Sequence, residues 1–567
     1  MTHGVRARLR VQRHIGTVLV VAVATGGCFG GDSADPVAVP SAPPGVTAGG
    51  ELTVGIVAPL SIDPALVTTT DVGGTIVVRT MCDSLLSHDP DSAVLRPAIA
   101  QSWRVLDGGE RISLRLRDDV RFSNGDRLSA QDVAASLARV VSPDTVSPVA
   151  EVLKHVAGYT ELRDRKVERD ALGGIQIVSS RDVELVLTRR DAEYVSILAT
   201  TVGVPVPRTS AEDAGFAERP ICVGPYQLAD AWQPGDPTIT LERSDTYVAG
   251  NSAMTRNGLG WADQITFRTY ATRQLAEQAY RRGEVDVAPV ANDRLAQVAT
   301  LPSTAVETEP TGALEYLGLP TTTAPFDNPE VRRALSQALD RERIVRVVYA
   351  GGRVPATSLL PPTLPDGLVD EDVCPGTAPA GGDLDVARAS LRASGVDLAG
   401  VTVPLYFNDE FRNRALVTEV AAQWLAAFDL RSRLVALPFD AYLARGIGGT
   451  GFDGPFRLAH ATPYLGAGDF LGPLFSTEAI GTENLSRFSN PRFDRDLRRE
   501  ARQAIAVEDQ RDEYAALTRL LCTQLPVIPV AFGTASYLLR SDVLASAAGR
   551  VLDRATATPL LREIYFR

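Results

Sequence analysis

Lysine is almost absent from this chain: Lys154 and Lys166 are the only two among 57 basic side chains. Neither follows a glycine-rich loop, which excludes a P-loop nucleotide site. Histidine is scarce, with five in 567 residues, and only His88, His155 and His460 lie beyond the first 27. With no histidine cluster, direct metal ligation by the protein is poorly supported. No G-x-S-x-G or H-E-x-x-H phrase occurs, which removes the familiar hydrolase signatures. Carboxylates are plentiful, so an acid pair of the glycosidase kind stays open. Positive charge is not in surplus: 57 basic residues face 69 acidic ones, for a net charge of −12. That balance leaves no electrostatic footprint for nucleic acid. After the amino terminus no run of about 18 apolar residues follows, so no later segment spans a membrane as a helix. What is present, 45% hydrophobic and 22% charged residues, is the composition of a folded soluble protein.

The amino terminus reads as an address. Arg6, Arg8, Arg10 and Arg13 form a positive start, and Ile15 to Ala24 is a short apolar run. Thr25-Gly26-Gly27-Cys28 follows. Small residues before a cysteine resemble a bacterial lipobox, although Thr25 stands where leucine is preferred. We expect a signal peptide over 1–27, lipidation of Cys28 and a flexible tether over 28–50, rich in Gly, Pro, Ser and Ala. Cleavage after Ala22-Val23-Ala24 is the alternative. Four further cysteines, Cys82, Cys222, Cys374 and Cys522, suit an exported chain. They allow two disulfides in three connectivities, or four buried thiols.

Periodicity predicts an α/β protein. Leu52–Val57 reads as a strand, and Arg111–Leu116 alternates polar and apolar as a half-buried strand does. Ser129 and Asp132 mark a capping box at a helix start. Residues 265–290 and 401–437 each read as strand–helix–strand, a unit whose strands form a parallel pair. Two such units far apart suggest two α/β lobes.

Several phrases then resemble one family in order along residues 51–545. They are Cys82-Asp83-Ser84-Leu85-Leu86 with Arg96–Trp103, Leu116–Val133, Val223-Gly224-Pro225-Tyr226, Gly283–Asp286, Val331–Arg341, Asn490–Asp494 and Leu525–Pro529. The family is the bacterial extracellular solute-binding proteins of family 5, the dipeptide, oligopeptide and nickel receptors of ABC importers. Most of the matched residues have plain scaffold roles: turns, helix starts and loop entries.

The resemblance implies a two-lobed, periplasmic-binding-protein-like fold (type II, cluster C), with an enlarged first lobe and a hinge between lobes. Lobe I would be 51–310 with a return segment 532–567, and lobe II 311–531. Pairing within lobes, which leaves a hinge free, would join Cys82 to Cys222 and Cys374 to Cys522. The implied function is capture of a peptide or small polar solute by hinge closure, then delivery to a membrane permease and, through it, ATPase subunits. The protein would be a lipid-anchored monomer on the outer face of the cell membrane, with no cofactor, no metal, no nucleic acid and no catalysis. A nickel or haem receptor of the same family is the runner-up, and a secreted hydrolase the distant third.

The cargo is where the chain departs from its relatives. In peptide-binding relatives a lobe II phrase carries an aspartate that pairs with the peptide's α-amino group. Aligned on Phe470-Leu471, Pro463 falls at that aspartate and His460 at a tryptophan. Proline cannot form an ion pair, so the expected ligand is not an ordinary free dipeptide. A modified peptide, a longer one held by its backbone, or another small polar molecule fits better. The candidate contacts are Ser61, His460, Thr462, Tyr464, Asn484 and Arg487, the last with a guanidinium fork suited to a carboxylate.

Overall fold

The computed structural model describes residues 49–567 apart from 69, 169–170, 251–259, 366–373, 375–376, 378, 411, 449–450, 500 and 504–506. The expected signal peptide, Cys28 and all but the end of the tether lie outside the described residues. One sheet of 11 strands runs through the molecule. In chain order these are β1 (Glu51–Val57), β2 (Tyr226–Leu228), β3 (Thr238–Arg243), β4 (Gln264–Tyr270), β5 (Val287–Val290), β6 (Thr304–Gly318), β7 (Val354–Pro355), β8 (Thr402–Asn408), β9 (Arg431–Leu437), β10 (Phe456–His460) and β11 (Val527–Arg540). Edge to edge the order is β9-β8-β10-β6-β11-β5-β1-β4-β3-β2, and β7 pairs with β11. A second sheet of four strands, among them Arg111–Leu116, packs under helix α1 (Ala130–Val141). In Arg111–Leu116 the apolar positions Ile112, Leu114 and Leu116 are buried, as the alternation requires. Helix α1 starts where Asp132 accepts the Ser129 backbone N–H at 3.0 Å.

The two strand–helix–strand units differ. In the later one, β8 and β9 flank helix α3 (Asn413–Phe428) and pair directly in parallel, Thr402 opposite Arg431 through Asn408 opposite Leu437. In the earlier one, β4 and β5 flank helix α2 (Arg273–Arg281) but do not touch. Strand β1 lies between them and pairs in parallel with both, Val54 facing Phe267 on one side and Val287 on the other. The crossover left a slot one strand wide, and the apolar β1 fills it. A pairing of neighbours read from one segment cannot see a strand supplied from elsewhere.

Buried side chains divide into separate cores. One gathers Leu52, Ile76, Phe267, Leu552 and Ile564, and a second Ile112, Leu137 and Val183. A third gathers Tyr316, Phe456, Phe475 and Tyr514, and a fourth Leu335, Phe407, Trp424 and Ile528. Apart from Tyr464, the first two draw on residues before 311 and after 532, and the last two only on 314–532. This is a two-lobed α/β fold. Cys82 is bonded to Cys222 inside the first core, with Cα atoms 5.5 Å apart, and Cys374 to Cys522 inside the third, at 5.2 Å.

The phrase Val331–Arg341 works as scaffold. Arg341 is fully buried and donates to the Pro529 carbonyl at 2.7 Å and to Ser336 Oγ at 2.8 Å. Arg332 donates to the carbonyls of Gln524 and Phe326, both at 2.7 Å. Each guanidinium thus satisfies carbonyls that burial would otherwise orphan.

The cores make one stability prediction. Trp424 is fully buried and its indole N–H donates to the Leu335 carbonyl at 3.0 Å. Trp424→Ala removes both packing and partner, and should cost about 3–5 kcal/mol. The check is a fall in the urea midpoint; an unchanged midpoint would mean that this core does not hold the fold.

Candidate functional site

Strands β6 and β11 form a long antiparallel ribbon, paired from Thr304 opposite Arg540 to Gly318 opposite Val527. The register shifts twice: between Pro310 opposite Thr534 and Leu314 opposite Phe532, and again between Glu315 opposite Ala531 and Tyr316 opposite Pro529, where Val530 is the extra residue. At the first shift three residues, Thr311 to Ala313, face the single residue Gly533. A Cβ on Gly533 would stand 2.6 Å from Thr311 Oγ1, so the close approach requires glycine.

A cavity of about 410 Å³ opens at this break. Its walls include Val67, Thr68, Thr70, Val72, Thr75, Ala199 to Val202, Arg273, Thr534 to Tyr537 and Ala555 to Thr558 on one side of the ribbon break, and Thr311 to Ala313, Pro361, Thr363, Leu364 and Ala461 to Leu465 on the other. Threonine is the dominant polar lining, a side chain that offers one hydroxyl donor and acceptor beside a methyl group. No Asp or Glu occurs among the described lining residues. Arg79 is paired with Asp553 at 2.7 Å.

The loop that meets the cavity is held from across the molecule. Helix α4 (Ala467–Phe475) has Gly466 at its N-cap, which has no side chain to cap with. Glu193 does that work: it accepts the N–H groups of Ala467 at 3.0 Å and Gly468 at 2.8 Å. Tyr514 donates its hydroxyl to the same carboxylate at 2.6 Å. A Cβ on Gly468 would meet Tyr514 Oη at 2.5 Å, so glycine lets the carboxylate and phenol approach. Burial, then the charge of Asp191, pushes the Glu193 carboxyl up to about 7, against the pull of its three donors. Tyr194 meets Tyr464 edge-on, with ring centres 5.9 Å apart.

Of the six expected contacts, Thr462 and Tyr464 line the cavity, as does Pro463. The Thr462 hydroxyl donates to the Tyr464 carbonyl at 2.7 Å. The other four do not line it. Ser61 is a turn residue whose Oγ accepts the Asp63 N–H at 3.1 Å. His460 ends β10, and its ring stands edge-on to Phe470 at 4.8 Å. Asn484 is buried and fully used: it donates to the carbonyls of Ser476 and Phe488 and accepts from Ser486 and Phe488. Arg487 follows in the same loop at φ 57°, beside Gly451. Sequence reading missed Arg273, His88 and the threonines at 68, 70, 200, 201, 556 and 558. Their clustering in short Thr-rich stretches was the available signal.

The comparisons agree with this architecture. The profile of the bacterial extracellular solute-binding proteins, family 5, matches residues 94–450. The glutathione-binding protein GsiB of Salmonella typhimurium is 25% identical over 431 residues, 74% of this chain and 77% of that protein. The periplasmic oligopeptide-binding protein OppA of Escherichia coli is 26% identical over 431 residues, 74% of this chain and 75% of its own. Among solved structures, the unliganded open form of the periplasmic murein tripeptide-binding protein MppA of Escherichia coli superposes with a TM-score of 0.80 at 22% identity, covering 92% of this chain and 99% of that one.

The three histidines set a pH dependence. Burial, then Arg79, holds His88 at about 3; burial, then Arg189, holds His155 at about 3; burial holds His460 at about 4. All three are therefore neutral in the fold but protonate near 6.5 when unfolded. Below about 6.5 the unfolded chain binds protons that the fold refuses, so stability is lost as pH falls towards 4. Glu193 acts the other way, because its raised value favours the fold as pH drops from about 7. Asp469 and Glu563, raised by burial, act with Glu193, so the histidine contribution is read by difference. From pH 7 to 4 the melting temperature of His460→Phe, in which an apolar ring replaces the imidazole beside Phe470, should drop less than that of the wild type. A variant that melts in parallel with the wild type would remove His460 from this account.

Proposed function

The chain belongs to the bacterial extracellular solute-binding proteins of family 5, and from that premise we propose that it captures a peptide or peptide-like solute in the cavity at the ribbon break and hands it to the permease of an ABC importer. We divide it into lobe I, 51–310 and 532–567, and lobe II, 311–531. The observation that carries this reading is the position of the cavity. It lies where the ribbon leaves one group of cores for the other, and it takes wall residues from both.

Capture by such a site needs no chemistry. A solute that touches both lobes favours the closed form, and only its differential affinity for that form can shift the equilibrium. The unpaired backbone at Thr311–Ala313 and Gly533 is the proposed hinge, since it is the wider of the two register shifts in the ribbon. Neither disulfide crosses between the lobes as divided here, so neither opposes closure. We further propose that Cys28 is lipidated and holds the protein, as a monomer, on the outer face of the membrane. The solutes named for the relatives, glutathione and oligopeptides, give the starting classes. Pro463 in the cavity wall leaves no carboxylate there for a peptide's free amine.

The test is closure itself. Small-angle scattering on the protein mixed with fractions of a small-molecule extract of growth medium should give one fraction that shrinks the radius of gyration. At about 100 times its dissociation constant that solute adds about 2.7 kcal/mol to the folded state, and the melting temperature rises with it. Gly533→Val, which forces a side chain onto Thr311, should weaken the compaction. If no fraction compacts or stabilises the protein, capture in this cavity is wrong.

A further inference from the structure

The walls of the cavity restrict the solute further, provided that the cavity is the capture site proposed above. A bound ammonium group needs a carboxylate or several carbonyls to replace its water. The described lining holds no carboxylate. Positive groups are present instead, and they stand at two ends. Arg273, Thr70, Val72, Pro289 and Tyr537 also line an adjoining cavity of about 280 Å³. Arg79 and His88 also line a different adjoining cavity, of about 430 Å³. The main cavity therefore lies between an Arg273 end and a His88 end.

The two ends differ in chemistry. Arg79 has its countercharge in Asp553. Arg273 is exposed and has no hydrogen bond or ion pair among the described residues. It is the first residue of α2, where the N-terminal backbone dipoles also favour an anion. At the other end both ring nitrogens of His88 are buried without a partner. Burial keeps that ring neutral at physiological pH. It can thus exchange a hydrogen bond with an uncharged hydroxyl or carbonyl, but cannot offer a charge. The rest of the wall sets apolar side chains, among them Val67, Val149, Val152, Leu364 and Leu465, beside the threonines.

We propose that the cavity takes an apolar molecule with one carboxylate, placed at Arg273, an uncharged polar group at His88, and no free amine. An N-acylated apolar peptide and a hydroxylated apolar acid share that chemistry. A free zwitterionic peptide does not, because its ammonium group finds no carboxylate in the described lining and shares the cavity with Arg273 and Arg79.

Titration calorimetry at neutral pH and low salt separates these cases. The probes are ω-hydroxydodecanoate, its methyl ester, N-acetyl-Leu-Leu and free Leu-Leu. One or both carboxylates without an amine should bind, and whichever binds names the source. The ester should bind about tenfold more weakly than its acid, and Leu-Leu more weakly than its acetylated form, since a charged hydrogen bond is worth at least a factor of ten. Arg273→Gln alters an exposed side chain with no protein partner, so its melting temperature should not move. It should weaken the bound carboxylate about tenfold and leave the ester unchanged. Free Leu-Leu binding as tightly as its acetylated form, an unchanged carboxylate affinity in Arg273→Gln, or no binding by either carboxylate would each overturn the inference. Compaction by a medium fraction would, in those cases, still leave the capture reading standing.

Discussion

The ribbon of β6 and β11 is the constraint on which the rest of the structure depends. Among the described residues it is the only element pair that belongs to both groups of cores, and it passes through the middle of the sheet. Along most of its length each strand satisfies the other's backbone, which makes it stiff. At Thr311–Ala313 the count of residues differs by two between the strands, and the ladder opens. The same local mismatch therefore joins the lobes, exposes backbone to the cavity and forbids a side chain at Gly533.

Electrostatics in this chain are arranged through arginine. Buried guanidinium groups at 332 and 341 answer backbone carbonyls in place of carboxylates, which their five donors in a fixed plane allow. Arg562 ties the carboxy-terminal segment to Asp83 and to the carbonyls of Thr80 and Cys82. Arg457 and Arg353 neutralise the buried Glu315. Most arginines that face the interior thus have an assigned partner. Arg273, an exposed side chain in the cavity wall, has no such partner among the described residues. A neutral, threonine-rich lining completes the picture, since hydroxyl groups adapt to a guest without imposing a charge.

Much of the fold was legible in the sequence. Alternation located Arg111–Leu116 because one face is buried and the other is not, and the Ser129–Asp132 pair marked a helix start that the structure retains. The ordered phrases identified the family because they are scaffold, and scaffold residues such as Arg341 have no substitute in their packing. The insertion of β1 between β4 and β5 was not legible, since nothing in residues 265–290 records a strand from position 51. The cavity was less legible still. Asn484 and His460 looked polar and available, but the fold spends one on carbonyls and sets the other edge-on against Phe470. The lining comes from many short loops whose residues are ordinary when read alone. Only Thr462, Pro463 and Tyr464 sat in a phrase whose divergence pointed inwards.

The cap on α4 has a consequence for how this molecule can change. A helix normally takes its first hydrogen bonds from the residue just before it, which ties the preceding loop to a short list of side chains. Here that duty falls to Glu193, 274 positions away from Ala467. Residues 461–465 thus supply no cap to the helix, although Tyr464 is tied to Asp469 in its first turn. A change at 461–463, proline included, leaves the Glu193 cap in place. The cap of the helix and most of the wall in front of it are therefore set by separate residues, so the one can change while the other stays.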